Sequence, residues 1–242
     1  MKYKIDDGDD ILIISVDIFD TLLLRDGTSE EVRFYLIAKK ISELSKSKKS
    51  NVDRIFYSRY KSHRWLYDLY EKKIIPEPSI DKVYEIQQSI LIDPEIDKDL
   101  LLEAEIIVES NLLSLNVELA DELLKQEARG KRIVLFSDMY LSSAIMRELL
   151  KCKGVKFNYE IFMSSEAGVS KHRGDAFSWL ANRYGVSTAN IHHLGDNYNS
   201  DYVNAQANKV KATLTPRSTF FYYKEQIMKM LGHILLKGKY NG

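Results

Sequence analysis

Three short apolar runs constrain the fold of this chain more than any other feature. They cover residues 11–16, 132–136 and 191–194, and each lacks the regular alternation of apolar and polar residues, although Ser15, Arg132 and the two histidines of 191–194 are polar. Continuous apolar strands are typical of parallel sheets that are covered on both faces. A fourth run, at residues 161–163, is shorter and is a weaker strand candidate. The sequence therefore predicts a parallel sheet with a buried centre.

Helical patterns alternate with these runs. Residues 117–129, 142–151 and 175–184 repeat apolar side chains at helical spacing, and Gly130 and Gly185 follow the first and third of these segments as stop signals. Strands that alternate with helices indicate a doubly wound α/β fold. We therefore expect a Rossmann-like parallel sheet core.

A long helical insertion is expected between the first and second strands. No further strand is convincing between Val16 and Arg132, and most of this stretch is helical in pattern, rich in charge and punctuated by prolines. This predicts an α/β core at residues 1–24 and 117–215, an all-helical domain at 25–116, and an aromatic, basic tail at 216–242 with a helix over 225–236. The lysine-rich residues 46–49 are interpreted as a solvated loop.

The overall composition excludes some partners and indicates a compartment. Lys plus Arg and Asp plus Glu number 35 each, so no general attraction to nucleic acid or to an anionic membrane is expected. The apolar stretch at 11–24 is interrupted by Asp17 and Asp20 and falls short of a membrane span. A single cysteine, Cys152, suits a reducing cytoplasm. A cytoplasmic protein is expected, and its oligomeric state stays open.

Polar side chains follow the predicted strands, where loops converge at the carboxyl edge of a parallel sheet. These residues are Asp17, Asp20, Thr21, Ser137, Asp138, Lys171, Asp196, Asn197 and Asp201. Carboxylates brought to one edge repel each other unless a cation lies among them, and hard oxygen ligands favour Mg²⁺. A lysine and a hydroxyl group suit a phosphoryl group. The pattern indicates a phosphate-binding magnesium site.

Four motifs, in this order and spacing, resemble those of the haloacid dehalogenase (HAD) superfamily. They are VDIFDTLL with Asp17, VLFS with Ser137, SKHRGDAF with Lys171, and GDNYNSD with Asp196 and Asp201. The resemblance spans nearly the whole predicted core. It implies a phosphatase that hydrolyses phosphate monoesters of a small metabolite, with the helical insertion as a cap domain over the site.

The resemblance also implies a role for most of these residues. Asp17 would attack phosphorus and form an aspartyl phosphate. Ser137 would bind a phosphate oxygen, and Lys171 would neutralise charge. Mg²⁺ would be held by Asp17, Asp196 and the backbone carbonyl of Phe19, with Asp201 as an outer or secondary metal group. Thr21, Asp138 and Asn197 are expected to bind substrate, and for Asp138 and Asn197 a role that only orients loops stays open.

One position departs from the phosphatase pattern. Phosphatases of this superfamily usually carry a second aspartate two residues after the nucleophile, where it protonates the leaving oxygen, but this chain has Phe19 there. Phenylalanine cannot transfer a proton, so Asp20 or another group takes the role, or the leaving group needs less help, or activity is weak. Asp20 is the candidate replacement.

Two other functions stay open. Dehalogenases of the superfamily also lack that second aspartate, but they do not need the acidic metal-binding motif, so the intact GDNYNSD favours a phosphatase over a metal-independent dehalogenase. A catalytically silent binding protein with the same fold is the third possibility. The stretch FSDMYLSS resembles members found beside glycosyltransferases in bacterial surface-polysaccharide pathways, which points to a sugar phosphate or a phosphorylated glycan-precursor substituent.

Overall fold

The computed structural model describes residue 5, residues 8–45 and residues 51–237, so the predicted loop at 46–49 lies outside the described residues. Within them the chain forms seven strands: β1 Ile13–Val16, β2 Leu23–Arg25, β3 Leu113–Leu115, β4 Arg132–Ser137, β5 Glu160–Met163, β6 Ile191–Gly195 and β7 Lys211–Leu214.

The same residues form ten α-helices and two irregular helical turns. The α-helices are α1 Glu30–Leu44, α2 Val52–Glu71, α3 Ile80–Leu91, α4 Lys98–Leu112, α5 Val117–Ala128, α6 Ser143–Cys152, α7 Ser164–Ala167, α8 Ala176–Tyr184, α9 Asn204–Ala207 and α10 Thr219–Lys237. A 3₁₀ turn covers Thr188–Asn190, and a π-helical turn covers Tyr198–Val203. No helix of the described residues has both the length and the apolar character needed to cross a membrane.

The main sheet has five parallel strands in the order β5-β4-β1-β6-β7. All four residues of central β1 are buried, as a strand covered on both faces requires. The weakly predicted strand at 161–163 is present as β5, because pairing with β4 supplies the stability that its short sequence lacks. The predicted α/β fold with a Rossmann-like parallel sheet is confirmed.

Three strands were not predicted from the sequence. β7 forms the sheet edge, where partial exposure permits a mixed sequence without a continuous apolar run. β2 and β3 pair with each other and lie between the first and second predicted strands, so the expectation of no strand in that stretch is wrong. Each has only three residues, and their partners are distant in sequence.

The chain forms two compact units. The first comprises Met1–Arg25 and Ser114–Arg217 and contains the five-stranded sheet; the second comprises Asp26–Leu113 and Ser218–Gly242 and contains α1 to α4 with α10. In the first unit, part of the core lies where β1, β4 and β6 pack against α8.

Ion pairs are buried inside the second, helical unit. Arg33 on α1 pairs with Glu109 on α4 at 2.7 Å, and Arg59 on α2 pairs with Glu105 on α4 at 2.8 Å. The Tyr84 hydroxyl also donates to Glu105, at 2.8 Å. Removing one partner of such a pair leaves a buried charge uncompensated, so loss of either partner should destabilise the unit.

Candidate active site

The candidate site lies at the carboxyl edge of the main sheet. Asp17 directly follows β1, and its backbone N–H donates to the carbonyl of Leu194 on β6 at 2.8 Å. Ser137 is the last residue of β4, and Asp196 directly follows β6. Asp17 and Ser137 are both buried. The parallel sheet thus places three of the predicted site residues at neighbouring strand ends.

Lys171 joins two of the predicted carboxylates. Its Nζ donates to Asp17 Oδ1 at 2.5 Å and to Asp201 Oδ1 at 2.7 Å. Burial by itself would lower the pKa of Lys171, but the negative charges of Asp17 and Asp201 outweigh burial and raise it. Lys171 is therefore a fixed ammonium group beside Asp17, as the resemblance to the HAD superfamily implies.

The acidic groups offer a cluster of oxygen donors. One oxygen each of Asp17, Asp196 and Asp201 lies within 4.8 Å of the others. Burial, with the neighbouring carboxylates, raises the pKa of Asp17 although Lys171 opposes the shift, and burial with the charges of Asp20 and Asp201 raises that of Asp196 to about 6. Three carboxylates against one ammonium leave an excess negative charge in a buried place. A hard divalent cation such as Mg²⁺ fits this donor set.

Asp201 is held from several sides. Besides Lys171, it accepts from His193 Nε2 at 3.2 Å and from the backbone N–H of Asn197 at 3.0 Å. Burial would raise the pKa of Asp201, but Lys171 and His193 outweigh it and lower that pKa. A Cβ added to Gly195 would lie 2.2 Å from Asp201 Cγ, so the close approach requires glycine. Asp201 is a rigid carboxylate that orients Lys171.

The two neighbouring histidines have separate contacts. His192 Nε2 lies 2.8 Å from the Thr213 hydroxyl on the adjacent strand, whereas His193 Nδ1 lies 3.0 Å from the Ser15 hydroxyl. Successive strand residues face opposite sides of a sheet, which explains the separation. Sequence reasoning left His193 out of the site, and its burial in an apolar strand gives no sign of its bond to Asp201.

Asp138 and Asn197, predicted to bind substrate or to orient loops, bond to backbone groups. Asp138 accepts from the N–H groups of Lys171 and His172 at 3.0 and 2.8 Å. The Asn197 side chain accepts from the N–H groups of Asn199 and Ser200 at 3.0 Å each and so caps the π-helical turn. These contacts orient the loops that carry Lys171 and Asp201.

Thr21 follows the nucleophile turn and is buried. Its backbone carbonyl accepts from Asn116 Nδ2 at 2.8 Å, which ties the turn to the start of α5. The Thr21 hydroxyl has no hydrogen-bond partner among the described residues. A buried hydroxyl without a partner is costly, and a role of Thr21 in substrate binding stays a prediction.

Asp20 is engaged by two arginines. Arg217 Nη1 donates to Asp20 Oδ1 at 2.5 Å, and the backbone N–H of Arg25 donates to the same oxygen at 3.2 Å. Asp20 has a left-handed backbone with φ of 61°, and its N–H donates to the carbonyl of Leu23 at 2.8 Å. The Arg25 guanidinium lies 3.9 Å from the ring centroid of Phe19. Sequence reasoning missed Arg217 because it follows the unpredicted strand β7.

Comparisons with known proteins establish the fold. No protein-family model and no curated protein matches the sequence. Among solved structures, the chain is similar to the HAD family enzyme BT-2542 from Bacteroides thetaiotaomicron in complex with magnesium and inorganic phosphate, with 16% identity, a TM-score of 0.54, and coverage of 86% of this chain and 96% of that one.

Two further structures are similar over most of their length. The putative HAD-hydrolase YfnB from Bacillus subtilis, bound to magnesium, has 16% identity and a TM-score of 0.52, with coverage of 85% of this chain and 88% of that one. L-2-haloacid dehalogenase from Xanthobacter autotrophicus has 15% identity and a TM-score of 0.54, with coverage of 90% and 82%. The resemblance to the HAD superfamily is confirmed at the level of the fold.

Proposed function

We propose that this protein is a HAD-type hydrolase that uses Mg²⁺ to cleave a phosphate monoester of a small metabolite. One observation carries the proposal: Asp17, at the end of the central strand, lies against the Lys171 ammonium and within 4.8 Å of two further carboxylates. A nucleophilic carboxylate, a fixed positive charge and an oxygen-rich cation site are the groups that phosphoryl transfer requires.

The reaction follows from these groups. A free oxygen of the Asp17 carboxylate attacks phosphorus in line with the ester oxygen, the ester P–O bond breaks, and the leaving oxygen takes up a proton. The aspartyl phosphate is then cleaved by water, which gives inorganic phosphate and restores Asp17. Lys171 neutralises negative charge beside the nucleophile, and the buried Ser137 hydroxyl is proposed to donate to a phosphate oxygen.

The chain's own residues would hold the metal. We assign Asp17, Asp196 and the backbone carbonyl of Phe19 as its ligands, with Asp201 as the outer group that orients Lys171. Bound Mg²⁺ would neutralise charge on the phosphoryl oxygens. The structures of BT-2542 with magnesium and phosphate, and of YfnB with magnesium, support this assignment by fold.

A metal-independent dehalogenase is the second candidate, and a specific observation favours it. Phe19 occupies the place of the usual proton-transfer aspartate, and solved haloacid dehalogenases share the fold. The excess of carboxylates weighs against a dehalogenase, because three acidic groups around one ammonium repel each other unless a cation lies among them. A catalytically silent binding protein is the third candidate and predicts no turnover at all.

Proton transfer to the leaving group is assigned to Asp20, and its contact with Arg217 provides the test. If Asp20 is the general acid, the loss of hydrolysis rate in Asp20→Asn should grow as the leaving group becomes more basic, because poor leaving groups need protonation most. A positioning role predicts an equal loss for aryl and alkyl phosphates, reproduced by Arg217→Gln. A loss in Asp20→Asn that is independent of the leaving group would refute the acid role.

The helical unit is proposed as the cap that selects the substrate. A sugar phosphate or a phosphorylated glycan-precursor substituent is the first substrate class to test, and the protein is proposed to act in the cytoplasm.

A panel of phosphorylated metabolites should be screened with Mg²⁺ and with chelator, using wild type, Asp17→Asn, and Asp10→Asn as a matched control. Asp10 is exposed and paired with Lys211 at 3.0 Å. Phosphate release that needs Mg²⁺ and Asp17 but not Asp10 supports the proposal. A second panel of 2-haloacids should be screened in the same way. Metal-independent halide release from that panel, or no turnover in either panel, refutes the proposal.

A further inference from the structure

An apolar stripe runs along the outer face of α10 and takes no part in the proposed chemistry. It consists of Phe220, Tyr223, Ile227, Met230, Leu231 and Ile234, and these side chains are between 45% and 77% exposed. Five of the six follow one another at intervals of 3, 4, 3 and 4 residues, which is the spacing of a seam between packed helices. The stripe has the pattern of a helix interface.

The opposite face of α10 is already used within the helical unit. Ser29 at the start of α1 donates to the carbonyl of Met228 at 3.1 Å, and a Cβ added to Gly232 would lie 2.8 Å from Glu31 Cβ. At 3.6 residues per turn, Met228 and Gly232 lie roughly 100–140° around the helix from Ile227. Packing on α1 therefore fixes α10 with its stripe turned away.

The stripe is larger than a monomer usually exposes. Taking roughly 150–250 Å² for a whole aromatic side chain and less for an aliphatic one, the exposed fractions sum to about 700 Å². The largest apolar patch of a typical monomer is about 300–600 Å². Two such stripes would bury about 1,400 Å² together, within the range of about 1,200–2,000 Å² for stable interfaces.

The charges beside the stripe favour a protein partner over a membrane surface. Helices that lie on membranes carry an excess of Lys and Arg on the polar face. Here Lys224 pairs with Asp26 at 3.3 Å, and Lys229 pairs with Glu225 at 3.1 Å. These two lysines are matched by acidic residues, which reduces the attraction of this part of the helix for anionic lipid.

We infer that the stripe of α10 is a dimer interface, occupied by the same stripe of a second copy of this chain in an antiparallel arrangement. A twofold axis at Ile227 places Phe220 opposite Ile234 and Tyr223 opposite Leu231, so that each aromatic side chain meets an aliphatic one. Such a twofold contact uses one patch on both copies; five of the six stripe residues pair within the stripe, and Met230 lies opposite Lys224.

Sedimentation velocity of the full chain over a range of concentrations tests the inference. Wild type should sediment as a dimer of the 28.0 kDa chain. Ile227→Asp brings two carboxylates together at the axis and should raise the dimer Kd by at least about 100-fold. Ile74→Asp is the matched control, since Ile74 is 64% exposed in the same unit and lies outside α10; it should leave the dimer intact.

Cross-linking tests the antiparallel arrangement. In a Cys152→Ser background, Ile227→Cys should form a disulfide-linked dimer on mild oxidation, whereas Phe220→Cys alone should not. A monomeric wild type, a dimer unaffected by Ile227→Asp, or cross-linking by Phe220→Cys would overturn the inference. Flotation of a monomeric wild type with phosphatidylglycerol vesicles, lost in Ile227→Asp, would also overturn it and would assign the stripe to a membrane surface.

Discussion

Gly195→Ala should destabilise the protein and disable the site, because the added methyl group would clash with the side chain of Asp201. The new methyl group would lie 2.2 Å from Asp201 Cγ and 2.4 Å from both Asp201 Cβ and Oδ2. Ordinary contact begins near 3.4 Å, so Asp201 has to move by more than 1 Å. Such a shift lengthens its 2.7 Å bond to Lys171 beyond hydrogen-bonding distance.

The expected cost combines two effects. Overpacking of a buried site costs about 1–3 kcal/mol, and loss of a hydrogen bond to a charged group costs about 1.5–3 kcal/mol. We therefore expect Gly195→Ala to lower the free energy of unfolding by about 2.5–6 kcal/mol. Urea titration followed by tryptophan fluorescence measures the change, which should appear in the midpoint with an unaltered slope.

A double-mutant cycle isolates the cause. The three atoms nearest to the added Cβ all belong to Asp201, so Gly195→Ala should cost far less in an Asp201→Gly background. The two substitutions should then be non-additive by at least about 1 kcal/mol. A cost below about 1 kcal/mol in the wild-type background, or full additivity of the two substitutions, would refute the reasoning.

Two further predictions concern metal binding and pH. Mg²⁺ should raise the melting temperature of wild type, since a ligand of the folded state stabilises it, and Asp196→Asn should reduce that rise; equal rises in both proteins would remove Asp196 from the metal site. Burial, and then the charges of Arg59 and Arg33, lower the pKa of His63 to about 2, so only the unfolded chain takes up this proton as the pH falls below about 6.5. Stability should therefore fall towards acid by up to about 1.4 kcal/mol per pH unit from this group, and the fall should be shallower in His63→Phe in urea titrations between pH 7 and 5. The same slope in both proteins would contradict the buried neutral state.

The sequence predicts those strands that can be recognised from their own residues alone. β1, β4 and β6 are almost wholly buried, so they are rich in apolar residues without a regular alternation of apolar and polar ones, and they could be recognised without knowing their neighbours. β7 and the pair β2 and β3 lack that signal, because an exposed edge and a three-residue ladder are stabilised by partners elsewhere in the chain.

In the site, too, contacts that depend on distant parts of the chain could not be predicted from the sequence. Asp17, Lys171 and Asp201 could be expected to meet, because strand order brings the loops after neighbouring strands to one edge. The contacts of Asp20 could not be expected, since they depend on a left-handed residue and on Arg217, which is 197 positions away in the sequence. His193 was missed for a similar reason: its partner Asp201 reaches it only through the π-helical turn.

Trapping the covalent intermediate tests the central claim most directly. Wild type turning over an aryl phosphate with Mg²⁺ should be quenched in acid, digested and examined by peptide mass spectrometry. We expect one phosphoryl group on the peptide that contains Asp17, absent after chelation and absent in Asp17→Asn, which should also release no phosphate. Phosphate release by wild type without label on that peptide, or undiminished release by Asp17→Asn, would contradict the assignment of Asp17 as the nucleophile.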